Sequence, residues 1–141
     1  MNEAIWNALV PELSVTNFDR SLRFYQSELG FSVRFQRHDP PFAYLDLGPV
    51  QIMIEQHTND SWVTGEMTQP LGRGINFQIE LPDIMAIHAR LKAASYPLFE
   101  ELQENWYETD TALSGQREFL VQDPDGYLFR FTEHLGEKPL D

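Results

Sequence analysis

Apolar and polar positions along the chain change period in a fixed order, and the order occurs twice. From Ala8 to Val15 the pattern is that of a strand, with Pro11 inside it, a placement tolerated at an edge or an irregularity. Thr16-Asn17 then supplies a helix cap, Asn17 being the expected capping residue. Phe18, Leu22, Tyr25 and Leu29 recur at spacings of four, three and four, which is one helical face, and Gly30 ends the run with Phe31 placed to fold back on the last turn. Period two follows over 31–35, 42–47 and 50–55, separated by His38-Asp39-Pro40-Pro41 and Gly48-Pro49.

After a break, strand alternation resumes over 74–80. Leu81-Pro82-Asp83 opens a second helix whose apolar stripe is Ile84, Ile87, His88 and Leu91, and Ser95-Tyr96-Pro97 stops it. Residues 98–102 read as a short strand and 105–109 as extended chain. A strand over 117–121, the turn Asp123-Pro124-Asp125-Gly126 and a strand over 127–131 complete the second copy, and 133–141 reads as a polar tail. The expected fold is α+β: one domain over 1–141, built of two strand-helix-strand-strand-strand modules at about 8–56 and 74–132 with a linker at 57–73. One helix covers one face of a four-stranded sheet. The other face needs a second layer, from the other module or a second chain, and the expected result is a cupped mixed sheet.

The break at 57–73 has no clear period and contains Trp62, either a plug on the core or a platform for a ligand. In the last strand Leu128 alternates with Arg130 while Tyr127, Phe129 and Phe131 share the other face, so Arg130 is the one charge in an aromatic strand. Its candidate roles are to pair with a buried Glu or Asp or to bind an anionic group. Glu100, Glu101, Glu104, Glu108 and Asp110 form an acidic run with no Lys or Arg, around Trp106 and Tyr107. That run is either a solvated strand edge or a ligand site, since aromatic rings stack on flat heterocycles and carboxylates attract cations.

Composition narrows the classes. The chain of 141 residues is 42% hydrophobic, with three Trp, five Tyr and ten Phe, enough for a real core. A net charge of -12 argues against nucleic acid and anionic membrane as partners, and suits a cationic ligand or plain solubility. With no cysteine there is no disulfide, thiolate metal site or cysteine nucleophile. No apolar stretch approaches the ~20 residues that span a bilayer, and residues 1–6 lack the features of a signal peptide, so the expected compartment is the cytoplasm. His38, His57, His88 and His134 show no ligand-pair spacing, and His88 reads as a half-buried packing residue.

Two stretches carry a family resemblance. Val15-Thr16-Asn17-Phe18-Asp19-Arg20-Ser21-Leu22-Arg23-Phe24-Tyr25, running to Leu29-Gly30-Phe31, resembles the opening signature of the vicinal oxygen chelate superfamily, and Val121-Gln122-Asp123-Pro124-Asp125-Gly126-Tyr127 resembles its closing signature. The superfamily holds glyoxalase I, ring-cleaving dioxygenases, fosfomycin resistance enzymes and bleomycin resistance proteins. The resemblance implies the paired βαβββ fold across essentially the whole chain. Catalytic members hold a divalent metal through His and Glu at four strand positions, which correspond here to Val10, Gln51, Asn76 and Arg130. Valine cannot ligate, Gln and Asn are weak amide ligands, and Arg repels a cation, so no metal and no other cofactor is expected.

Loss of those ligands is similar to the bleomycin resistance group, as is Gly115-Gln116-Arg117-Glu118-Phe119 before the turn. That resemblance implies a cytoplasmic homodimer that sequesters a cationic aromatic drug, such as bleomycin, in a cleft between subunits without transforming it. Ligand-binding candidates are then Phe35, Trp62, Trp106, Tyr107 and Glu108, with no catalytic residue. Two alternatives stay open: a glyoxalase-type lyase or dioxygenase with displaced metal ligands, and a binding module with no small ligand.

Overall fold

The computed structural model describes residues 3–140, which divide between Met67 and Thr68 into two compact units. In the first unit the order is β1 (Glu12–Val15), α1 (Phe18–Arg23), β2 (Ser32–His38), β3 (Pro41–Leu47) and β4 (Val50–Gln56). The sheet order is β1-β4-β3-β2, with β1 parallel to β4 and the rest antiparallel. Asn17 is the cap: its side chain accepts from the Arg20 amide at 3.1 Å. The helical run expected through Leu29 changes hydrogen-bonding after Arg23, where Phe24–Glu28 forms a π-helical turn. Gly30, at φ 87°, ends it, and the Phe31 ring returns edge-on to Tyr25 at 5.7 Å.

In the second unit the order is β5 (Asn76–Glu80), α2 (Met85–Ala93), β6 (Glu100–Glu108), β7 (Ala112–Gln122) and β8 (Leu128–Pro139). The sheet order β5-β8-β7-β6 repeats that of the first, with β5 parallel to β8. Both sheets are thus four-stranded and mixed, and the class is α+β. Here α2 begins later than its sequence opening: Ile84 stands at its N-terminal cap position, and Asp83 before it accepts from the Met85 amide at 2.8 Å. The two extended segments expected after α2 are one strand, β6. The polar tail expected from residue 133 is also strand: β8 runs on to Pro139, paired back to Ala112. Beyond Glu133 the extension has both faces near solvent, so His134, Glu137 and Lys138 carry no alternation to read, while the backbone ladder holds it.

In each sheet, alternation sends one set of side chains to the helix. In the first these are Leu13, Val15, Ala43, Leu45, Ile52 and Ile54, with Gln56 on the same face accepting from the Phe18 amide at 2.8 Å. In the second they include Ile79, Phe119, Val121, Phe129 and Phe131 below Ile84, Ile87 and Leu91. Each fully buried Val, Leu, Ile or Phe among them contributes roughly 1.5–3 kcal/mol. His88 belongs to this layer: its ring meets Phe119 edge-on at 5.3 Å, and its Nε2 lies 3.1 Å from Glu101.

The Asp123-Pro124-Asp125-Gly126 turn is tied from within and without. The Asp123 carboxylate accepts from the amides of Asp125 and Tyr127, both at 2.9 Å, and the Asp125 carbonyl accepts from the Leu71 amide at 2.8 Å. Gly126 sits at φ 106°, and a Cβ there would meet the Pro70 side chain at 2.5 Å, so the turn admits only glycine. This clasp fixes where β8 begins and hence where Arg130 stands.

Candidate functional site

On the face of the second sheet that points away from α2, the registers bring together Asn76 of β5, Arg130 of β8, Glu118 and Leu120 of β7, and Glu100, Gln103, Asn105 and Tyr107 of β6. They line a cleft of about 420 Å³. Its floor is an ion pair. Glu118 is only 2% exposed, and its Oε1 lies 3.7 Å from a terminal nitrogen of Arg130, whose side chain is 29% exposed. Glu118 pairs in register with Thr132 and Arg130 with Leu120, so the two charges meet diagonally, a separation that two long side chains span. Arg130 has a buried acid partner, one of the two roles its sequence position left open.

The pair is held by neighbours of its own face. The other carboxylate oxygen of Glu118 accepts from the Tyr107 hydroxyl and from Asn105 Nδ2, the latter at 2.9 Å. Asn105 also donates to Gln103 at 3.2 Å, and Arg130 donates to the Gln78 side-chain oxygen. The hydrogen bond to the Glu118 carboxylate, followed by burial and the carboxylate's charge, raises the Tyr107 phenol above its ordinary value, while the Arg130 charge opposes the rise. Within the pair, Glu118 Oε1 and Arg130 Nε are buried and have no hydrogen-bond partner among the described residues.

The corresponding face of the first sheet is built differently. Gln51, on β4, is buried and fully engaged: its side-chain oxygen accepts from the Tyr44 hydroxyl and, at 3.0 Å, from the Asn7 amide, and its nitrogen donates to the Ile5 carbonyl at 2.9 Å. Those bonds fasten residues 5–7 over the sheet. The Trp6 ring sits edge-on to Tyr44 at 5.1 Å and tilted to Phe35 at 6.1 Å. Arg34 grips Asp46 with two bonds of 2.9 and 2.7 Å and lies 4.5 Å from the centre of the Trp6 ring.

The residues singled out in the sequence therefore separate. Asn76, Arg130 and Tyr107 line one cleft. Phe35 stacks on Tyr44 at 5.5 Å within the first unit, close to Trp6, and Val10 stands half-buried just before β1. Trp62 is 97% exposed and plugs no core. Trp106 and Tyr107 are neighbours on a strand and so point to opposite faces. Trp106 lies over Gly115, where a Cβ would meet its ring at 2.6 Å, with the Lys138 ammonium 3.8 Å from the ring centre and Nε1 donating to Glu104 at 2.9 Å. Glu108 is exposed at the end of β6. Glu118, Asn105 and Gln103 were not singled out. The signal that finds them is strand parity: β7 carries Glu118 on the face of Arg130, and β6 carries Gln103 and Asn105 on the face of Tyr107.

Two strand-helix-strand-strand-strand units, each with a sheet face free of its helix, define the class as a paired βαβββ protein. Residues 8–131 match the model of the Glyoxalase/Bleomycin resistance protein/Dioxygenase superfamily, and the chain belongs to that superfamily. A bleomycin resistance protein of Geobacillus stearothermophilus is 24% identical over 136 residues, covering 89% of this chain and 96% of the relative. Among solved structures, TioX from Micromonospora sp. ML1 is 22% identical, with a TM-score of 0.68 over 92% of this chain and 98% of that one. The fosfomycin resistance protein FosX of Listeria monocytogenes is 15% identical, with a TM-score of 0.61 over 92% and 94%. These two structural likenesses show the fold.

The metal of the superfamily's catalytic members does not fit the donors present here. At the four positions that the resemblance assigns to the metal ligands, Val10 has no donor, the Gln51 amide is spent on Tyr44, Asn7 and Ile5, Asn76 offers a neutral amide, and Arg130 places a positive charge beside Glu118. Among the described residues, no three His, Asp or Glu side chains gather in a metal-holding group. No helix of the described residues is long and apolar enough to cross a membrane.

Proposed function

We propose that this protein is a binding protein of the bleomycin-resistance type: it holds a cationic, aromatic small molecule such as bleomycin and withholds it without converting it. The observation that carries the reading is Arg130. A guanidinium paired to a buried carboxylate stands at the position to which the resemblance assigns a metal-binding Glu, which supports recognition over metal binding there. The likeness to bleomycin resistance proteins supports the same reading, and so does the net charge of -12, which draws cations toward the surface. A cytoplasmic homodimer with the ligand held in a cleft between subunits is part of the proposal. Tyr107 and the exposed carboxylate of Glu100 are the cleft residues suited to a flat, positively charged ligand.

The test is a titration of bleomycin into the purified protein, followed by tryptophan fluorescence and calorimetry. We expect saturable binding at roughly micromolar drug, and growth protection in cells expressing the protein. A flat titration with unprotected cells defeats the reading. So does about one tightly held metal ion per site in protein purified without chelator, which would favour the glyoxalase-type enzyme.

A further inference from the structure

We propose that the cleft of the second unit recognises an uncharged planar group that both donates and accepts hydrogen bonds, a primary carboxamide or a close analogue, and discriminates against carboxylates. The inference rests on reading this cleft as a ligand site and names the chemistry it selects.

The floor is electrically balanced. Glu118 stands 3.7 Å from the Arg130 guanidinium, so an anion drawn to that cation also meets the carboxylate. A cation drawn to Glu118 meets the guanidinium in turn. Neither sign of charge gains from both partners at once. What the cleft offers instead is hydrogen bonding. Glu118 Oε1 and Arg130 Nε have no hydrogen-bond partner among the described residues, but both atoms are buried, so the donors within a ligand's reach are those of the part-exposed Arg130 guanidinium.

The walls repeat this character. Asn76, Gln103 and Asn105 are amides: Asn105 spends its donors on Gln103 and Glu118 and offers its oxygen, while Asn76 offers a donor pair and an acceptor, and the complement of that set is another amide. Leu120 and the Tyr107 ring supply the apolar surface against which a flat group lies. The one carboxylate of the cleft outside the floor pair, Glu100, is exposed, so a ligand's positive charge sits at the edge while its amide reaches inward.

Benzamide, benzoate and benzamidine test this directly, because they share a ring and differ in charge and hydrogen-bond pattern. Each is titrated into the intact protein while backbone amide resonances are followed by NMR. We expect benzamide to shift the resonances of residues around Glu118, Arg130 and Asn105, and to bind about tenfold more tightly than either charged probe. In Glu118→Gln, an isosteric change that leaves Arg130 uncompensated, selectivity is expected to move toward benzoate. Strongest binding by benzoate in the wild-type protein would overturn the inference in favour of an anion site, and strongest binding by benzamidine in favour of a cation site. Absence of shifts from all three at roughly 10 mM, where ligands of this size should register, also overturns it. The outcome is separable from that of the drug titration. Failure of bleomycin to bind while benzamide is preferred removes the drug and keeps the cleft chemistry; the reverse removes only the carboxamide.

Discussion

In the first unit, the sheet face away from α1 carries Tyr44, Phe35 and Gln51 beneath Ile5, Trp6 and Asn7. In the second, the face away from α2 carries Tyr107, Arg130 and Glu118 around a cleft. Each face has a tyrosine whose hydroxyl donates to a buried β-strand side chain: Tyr44 to the neutral Gln51 amide, Tyr107 to the Glu118 carboxylate. The same topology therefore supports two outcomes, and the acceptor goes with the outcome. An amide has a donor to spare and uses it to fasten the chain's own segment, at Ile5. A buried carboxylate has none and needs a cation, which Arg130 supplies. The first face is occupied by the protein itself, and the second retains polar groups with unused capacity. That contrast is why the ligand site is proposed in the second unit.

The largest effect should come from separating the floor pair. Arg130→Met leaves the Glu118 carboxylate buried without a counter-ion, and we expect a loss of about 3–5 kcal/mol in urea unfolding. Combining it with Glu118→Leu should recover most of that loss, because two apolar side chains satisfy each other where one charge cannot. Additive losses in the double variant would mean that the two side chains do not form one unit, and the contrast between the faces would lose its basis.

Gln51→Ala examines the other face. It strips partners from the Tyr44 hydroxyl, the Asn7 amide and the Ile5 carbonyl together, although Arg34 still donates to Ile5 at 2.7 Å. The expected cost is about 1–3 kcal/mol. Trp6 emission should shift to the red as residues 5–7 lift from Tyr44 and Phe35. Unchanged emission at reduced stability would show that Trp6 is held by Arg34 and the rings alone, and Gln51 would not be the fastener.

Much of the fold was legible because it is written in local terms: the helical spacing of Phe18, Leu22, Tyr25 and Leu29, the Asn17 cap, the Gly126 turn, and the apolar alternation of β3, β4 and β7. The extension of β8 was not, because a strand exposed on both faces has no hydrophobic period. The site was legible in part. Arg130 stands out in the sequence as a charge among aromatics, and the structure gives it a buried acid partner. Trp106, Tyr107 and Glu108 were grouped by nearness in sequence, whereas a strand sends Trp106 to the face opposite Tyr107. Glu118 and Asn105 join the cleft through registers between β6, β7 and β8 that no single segment encodes, and the cover formed by Trp6 depends on contacts with residues far along the chain.

The smallest expected effect is the most specific to the carboxylate. Ionised Tyr107 would place a phenolate beside Glu118, so the hydrogen bond to that carboxylate, then burial, holds its pKa above the ordinary phenol value of about 10. Folding thus favours the protonated phenol. The stability it contributes is present below the unfolded-chain value and is lost as pH rises through the higher folded value. Glu118→Gln removes the acceptor charge but keeps Arg130, which pulls the other way, so Tyr107 should ionise at lower pH in the variant. Near-ultraviolet absorbance follows phenolate formation, and subtraction of the Tyr107→Phe titration isolates this residue from the other four of the five tyrosines. A midpoint unmoved by Glu118→Gln would mean that the carboxylate does not govern Tyr107. The second face would then differ from the first in its charges but not in how those charges act on the group that lines the cleft.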